Sequence, residues 1–144
     1  MLNAAPIREL SDELLSLLDV LIVNEHEASI LVGGAEPEVA AAQLAVKVPA
    51  VVVTLGSDGL LVRVGDEPES VRILAQQVEA VDTTGAGDTF CGAFVAALDE
   101  LELEPTDLDF TNAAVFASAA ASISVQRPGA VSSIPLRSEI DAAL

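Results

Sequence analysis

The residues best suited to chemistry lie in one run, Val81-Asp82-Thr83-Thr84-Gly85-Ala86-Gly87-Asp88-Thr89-Phe90. It passes from polar turn residues through two glycines into an apolar segment, Phe90 to Leu101, whose pattern predicts a helix. A glycine-rich turn at a helix start presents unpaired backbone N–H groups to whatever sits before it. Gly85 and Gly87 let that backbone approach a ligand with no Cβ in the way. Asp88 falls at the mouth of the helix, where a carboxylate either caps the N-terminus or takes a proton as a general base. Donors for an anion beside one carboxylate suit the transfer of a phosphoryl group to a hydroxyl. The same letters also describe an ordinary capped helix start.

Two further stretches carry polar groups at ordered spacing. Asn24-Glu25-His26-Glu27 sets an amide and a carboxylate three residues apart on the first turn of a predicted helix. By residue type alone, Asn24 caps that helix and Glu27 lies on a solvated face. Thr54-Leu55-Gly56-Ser57-Asp58-Gly59 reads equally as a ligand loop and as a plain hairpin turn. His26 is the only histidine and has no Cys or His partner, so it makes no metal site. Cys91, the only cysteine, reads as a small buried residue, since no histidine stands by to activate it as a nucleophile.

The elements that must position these residues follow from apolar patterning. Met1 to Pro6 reads as the tail of a strand with its exit loop, so the chain is expected to open mid-fold. A helix is predicted over Arg8 to Leu18, with a start signal inside it at Ser11-Asp12-Glu13. Val20 to Val23 and Ala50 to Thr54 are short continuous apolar runs, hence buried strands. Helices are predicted over Glu25 to Val32, closed by Gly33-Gly34, and over Glu36 to Val46. Leu60 to Val64 should pair with Val71 to Leu74 through a turn at Gly65-Asp66. After Leu101 come a break at Glu104-Pro105, a long alanine/serine helix from about Leu108 to Ser124, and a short last helix over Ser138 to Leu144. Buried strands alternating with helices indicate an α/β layered sheet, in which ligands gather at the carboxyl ends of strands. No repeat, linker or domain boundary stands out, and the size suits one domain.

Composition narrows the partners. The net charge of −17 argues against nucleic acid and anionic membrane, both of which demand a basic face. No apolar run reaches the roughly 18 residues of a membrane span, and the start lacks a basic segment followed by an apolar block. With a single cysteine, this points to a soluble, cytoplasmic protein. The acidic surplus and the single lysine suit a saline cytoplasm, where screening relieves self-repulsion.

The run from Asp82 to Phe94 resembles, nearly letter for letter, the C-terminal signature of the ribokinase/PfkB carbohydrate kinases. Asn24-Glu25-His26-Glu27-Ala28, Thr54 to Gly59, and Arg127-Pro128-Gly129-Ala130-Val131-Ser132-Ser133-Ile134-Pro135 resemble further motifs, in that family's order. The resemblance spans essentially the whole chain and leans to the ribokinase branch. It matches only the second half of such a kinase, without the front half that carries most sugar contacts and the lid.

The resemblance implies an α/β protein with a three-layer α/β/α ribokinase-like fold, of which residues 1–144 are the C-terminal portion. It implies ATP-dependent transfer of the γ-phosphoryl group to a sugar hydroxyl, with Asp88 as base and Gly85, Ala86 and Gly87 as anion hole. Asn24, Thr54, Gly56, Ser57, Asp58, Gly59 and Gly87 would meet the nucleotide. Glu27, in the family's Asn-x-x-Glu motif, would influence Mg²⁺. Asp82, Thr84, Ser124, Arg127, Gly129 and Ser133 match positions around a monovalent cation, K⁺. Ser118 stands where relatives carry Asn or His near the adenine, and Asn112 would need a register shift to serve there. The rival expectation is a non-catalytic nucleotide-binding fragment, or half of a split kinase. A sheet cut in mid-order has an exposed edge, so a second copy or a complementing N-terminal half is the expected partner.

Overall fold

The computed structural model describes residues 1–101 and 105–144. Glu104, in the expected Glu104-Pro105 break, therefore lies outside the described residues. The chain divides into two compact units, Met1–Leu74 and Ala75–Leu144.

The first unit is built on one five-stranded sheet in sequential order: β1 (Leu2–Asn3), β2 (Val20–Asn24), β3 (Ala50–Thr54), β4 (Leu60–Val64) and β5 (Val71–Ile73). β1, β2 and β3 run parallel, whereas β4 and β5 continue antiparallel. β2 and β3 are buried on both faces, which is why they read as unbroken Val, Leu and Ile runs. Their register pairs Asn24 with Thr54, so both polar residues end neighbouring strands on the carboxyl edge of the sheet.

Three helices join these strands: α1 (Asp12–Leu15), α2 (Glu25–Leu31) and α3 (Pro37–Ala45). Leu15, Ala28, Ala40, Ala41 and Leu44 pack with Leu21, Val23, Val51, Val53 and Leu61 in one core. α2 ends in paired glycines at positive φ, with Gly33 N–H donating to Ile30 and Gly34 N–H to Ser29. That bonding satisfies carbonyls the helix leaves free. α3 starts with Pro37, whose missing N–H costs nothing in a first turn.

α1 is a single turn, much shorter than the Arg8–Leu18 helix its leucines predict. Ser11 Oγ accepts from Leu14 N–H at 3.1 Å, and the Ser16 hydroxyl donates to Glu13 O at 2.8 Å. Serine side chains thus take up local backbone groups at both ends and confine the helix to the residues between them.

The second unit holds α4 (Ala86–Asp99), α5 (Asp107–Ser124) and α6 (Arg137–Asp141). α4 starts four residues before the predicted Phe90 and stops short of Leu101. α6 ends at Asp141, within the predicted Ser138–Leu144 span. α5 opens at Thr106, whose Oγ1 accepts from Asp109 N–H while the Asp109 carboxylate accepts from Thr106 N–H at 2.8 Å. Phe116, Ala119, Ala120 and Ile140 form its core with Ala93, Ala97 and Ile123. The Arg137 guanidinium lies 4.5 Å over the Phe116 ring and pairs with Glu100 and Asp141. All three charged groups are half in water, so these pairs fix geometry more than they stabilise.

Candidate active site

Gly85 is the N-cap of α4, in the left-handed region at φ +79°. A Cβ there would stand 2.9 Å from Ala130 Cβ and 3.1 Å from Ala130 Cα. Gly85 is therefore required twice, by its backbone angle and by the chain pressed against it. The helix start draws no side-chain cap. Ala86 N–H donates to Thr83 O at 3.2 Å and Thr89 N–H to Gly85 O at 2.8 Å. That leaves the N–H groups of Gly87 and Asp88, which a helix cannot pair internally, without a backbone acceptor among the described residues.

Gly87 differs from Gly85. No atom of the described residues lies within 4 Å of where its Cβ would be. The fold itself asks for no glycine there. Asp88 is exposed and lies in the first turn, inside the helix rather than in a loop before it. The carboxylate thus stands beside open donors at the positive end of a 14-residue helix.

The approach to this turn is tied to the loop after α5. Val125 O accepts from Val81 N–H at 2.7 Å and from Asp82 N–H at 3.1 Å. Asp82 takes Thr84 N–H on Oδ1 and Gly129 N–H on Oδ2, both at 2.9 Å. Hydrogen bonds from the Thr84 side chain, the Thr84 N–H and the Gly129 N–H hold the Asp82 carboxyl down at about 2. A pKa lowered from 3.8 means that its stabilising contribution is present above about pH 4. That contribution is lost as the pH falls through about 2.

Gly129 also has positive φ, +83°. Ser124 and Ser133 are buried, and their hydroxyls donate to Ala121 O at 3.2 Å and Ala130 O at 2.9 Å. Arg127 forms a two-point pair with Glu139, at 2.6 and 3.3 Å, and the Glu139 hydrogen bond raises the guanidinium pKa further. Asp82, Thr84, Gly129 and the Gly85 turn are thus brought together, with Ser124 at the end of α5 and Arg127 and Ser133 in the loop after it. Ser118 is half-buried midway along α5, and Asn112 is exposed a turn and more earlier. The Val125 carbonyl did not stand out in the sequence, and Ala130 did so only as a letter of the run from Arg127 to Pro135, because a backbone acceptor and a methyl wall have no distinctive letter. Glu139 falls in the closing Arg-Ser-Glu-Ile-Asp run, but its partner lies 12 residues away.

In the first unit, Asn24 and Glu27 form a reciprocal capping box. Glu27 N–H donates to Asn24 Oδ1 and Asn24 N–H to Glu27 Oε2, each at 2.8 Å. Glu27 is buried at 7% exposure, contrary to the solvated face its residue type suggests. The box holds its carboxylate against the end of β2 and out of water. Thr54, at the neighbouring strand end, reaches Val23 O at 3.5 Å. Gly56–Asp58 is one 3-10 turn between β3 and β4, closed by Leu55 N–H to Gly59 O at 2.8 Å. Gly56 at φ +58° and Gly59 at φ +94° are both required by this turn. Gly56, Ser57 and Asp58 are exposed at its tip, with Gly59 buried beneath.

Known proteins share the sequence and the fold of this chain. The chain is 46% identical to the ribokinase of Haemophilus influenzae over 96% of its own length and 45% of that protein's. The Arabidopsis thaliana ribokinase, solved with ribose and ATP, superposes with TM-score 0.85 at 32% identity, over 98% of this chain and 46% of that one. A Vibrio cholerae fructokinase double mutant, bound to fructose, ADP and potassium ion, gives 0.82 at 27% identity, over 92% and 42%. The chain therefore spans less than half the length of the relatives it matches. Its fold is α/β and ribokinase-like, as a partial domain. The pattern of the pfkB family carbohydrate kinases matches residues 1–137, and the chain belongs to that family.

Proposed function

We propose that this chain supplies the nucleotide-binding and catalytic-base segments of an ATP-dependent sugar kinase, converting ATP and a sugar to ADP and a sugar phosphate. The observation that carries the reading is the first turn of α4. There, open N–H donors, a glycine with free space before it and an exposed carboxylate occur within three residues. In the reaction, Asp88 accepts the proton of the attacking sugar hydroxyl as its oxygen bonds to the γ-phosphorus and the bond to the ADP oxygen breaks. The backbone of Gly85, Ala86 and Gly87 holds the charge that develops on the transferring group. The ribose and ATP bound to the Arabidopsis relative support this choice of substrates.

Asn24, Thr54 and the Gly56–Gly59 turn take the nucleotide, with Ser118 toward the adenine. Magnesium keeps several waters and takes few carboxylates. One held carboxylate, Glu27, fits that demand, and no group of three or more His, Cys, Asp or Glu suited to a metal occurs among the described residues. When bound, the ion neutralises charge on the phosphates. Potassium fits the loop pair of Asp82, Thr84, Ser124, Arg127, Gly129 and Ser133, where the Asp82 carboxyl stays ionised. With Arg127 tied to Glu139, that residue offers its carbonyl rather than its side chain. The potassium of the fructokinase relative supports the same reading. No helix among the described residues is long and apolar enough to cross a membrane.

The test is ADP release from ATP, Mg²⁺ and KCl with D-ribose and fructose. It is run on the chain alone and with an N-terminal half from a relative, against Asp88→Asn. Sugar-dependent ADP that disappears in Asp88→Asn is the expected result. Replacing K⁺ by Na⁺ at equal ionic strength should lower it. Turnover that survives Asp88→Asn would remove Asp88 as the base. ATP binding without turnover in either arm would leave a nucleotide-binding protein.

A further inference from the structure

A second candidate site lies in the first unit, in an open groove of about 560 Å³. Its walls come from the outer face of α3 (Glu38, Val39, Ala42, Gln43), from Val46 just past its end, from Arg63 on β4, and from Pro68, Glu69 and Ser70 ahead of β5. The size falls within the range of small-molecule pockets. The sheet register puts the groove far from the carboxyl edge. Arg63 pairs with Val51 near the start of β3, whereas Thr54 at its end pairs with Leu60.

Two polar atoms of the lining residues are out of water and unpaired: Arg63 Nε and Ser70 Oγ have no hydrogen-bond partner among the described residues. Buried donors left unmade are costly and rare in folded chains, so each calls for a partner. Arg63 also has no ion pair with a described residue, in a chain with 23 acidic and 6 basic residues. A guanidinium and a hydroxyl that line one groove together accommodate a carboxylate, which offers two acceptor oxygens. Val39, Ala42, Val46 and Pro68 give an aliphatic wall. Glu38 and Glu69, in the same lining, repel polyanions and attract an ammonium group.

We propose that this groove binds a small zwitterion of the α-amino-acid type with a branched aliphatic side chain. Its carboxylate lies on Arg63 and Ser70, its ammonium faces Glu38 and Glu69, and its side chain lies against Val39 and Val46. The assignment is independent of the reaction at α4, and binding is its only readout.

The experiment is calorimetric titration of the 144-residue chain with L-valine, beside isovalerate, isobutylamine and inorganic phosphate. Amide shifts in ¹⁵N-labelled protein locate the ligand. Saturable 1:1 binding of L-valine is expected, with shifts centred on residues 38–46 and 63–70 and weaker binding of both single-charge analogues. Arg63→Met should cut the affinity about tenfold or more. It should leave the unfolding midpoint of the free chain unchanged or raised, because the unpaired donor is gone. Ser70→Ala should weaken binding less. No saturable binding by L-valine, equal binding of isovalerate or phosphate, or unchanged affinity in a folded Arg63→Met variant would each overturn the proposal.

Discussion

Two glycines two residues apart answer to different demands. Gly85 is needed by the fold, and Gly87 is not. Gly85→Ala puts a side chain into the left-handed region, at about 1–2 kcal/mol, and drives it into the Ala130 backbone as well. It should lower stability by at least that much in denaturant unfolding. Gly87→Ala lies in a helical first turn with open space around it, and should leave stability unchanged or raise it by up to ~1 kcal/mol. On the proposed reading it should still lower ADP release severely, since a methyl group then stands where the phosphoryl group must approach. A Gly87→Ala variant with full turnover would separate the anion hole from this turn. Both glycines were evident in the sequence, but their different reasons were not, because Ala130 lies 45 positions beyond Gly85.

At the scale of elements, the Asn-x-x-Glu motif is both a helix cap and a candidate ligand site, and substitutions can divide the two roles. Glu27→Gln keeps an oxygen to accept Asn24 N–H, so unfolding should shift by no more than ~0.5 kcal/mol. Asn24→Ala removes the cap and should cost about 1 kcal/mol. If the Glu27 charge serves magnesium, Glu27→Gln alone should raise the Mg²⁺ concentration needed for half-maximal ADP release. An unchanged Mg²⁺ dependence would leave the motif as a cap. β2 and β3 were legible because a strand buried on both faces reads as an apolar run. α1 was overestimated because leucine spacing says nothing about serine hydroxyls that bond the local backbone. The start of α4 was placed late because glycines suggest a turn, and only the Thr89–Gly85 bond shows that the helix has already begun.

For the whole molecule, charge is the dominant property. A net charge of −17 opposes any compact state through self-repulsion. The screening length shrinks from about 10 Å at 0.1 M salt to about 3 Å at 1 M. The thermal midpoint should therefore rise with salt, and equally for KCl and NaCl. A midpoint that rises only with KCl would tie stability to the cation loop. One that ignores both salts would show that the carboxylates lie too far apart to repel.

The sequence by itself determined the α/β character, the paired strands, the helix cap by Asn24 and the run at α4, because each rests on neighbours within a few residues. Only the tertiary structure decided what closes around them. Asp82 reaches Gly129 across 47 positions, Arg127 meets Glu139 through a turn, and Arg63 and Ser70 line one groove with Nε and Oγ unpaired among the described residues. Such contacts join segments that the chain brings together only on folding. Local periodicity carries no trace of them, since the energy that selects them comes from burial and from hydrogen bonds between distant backbones.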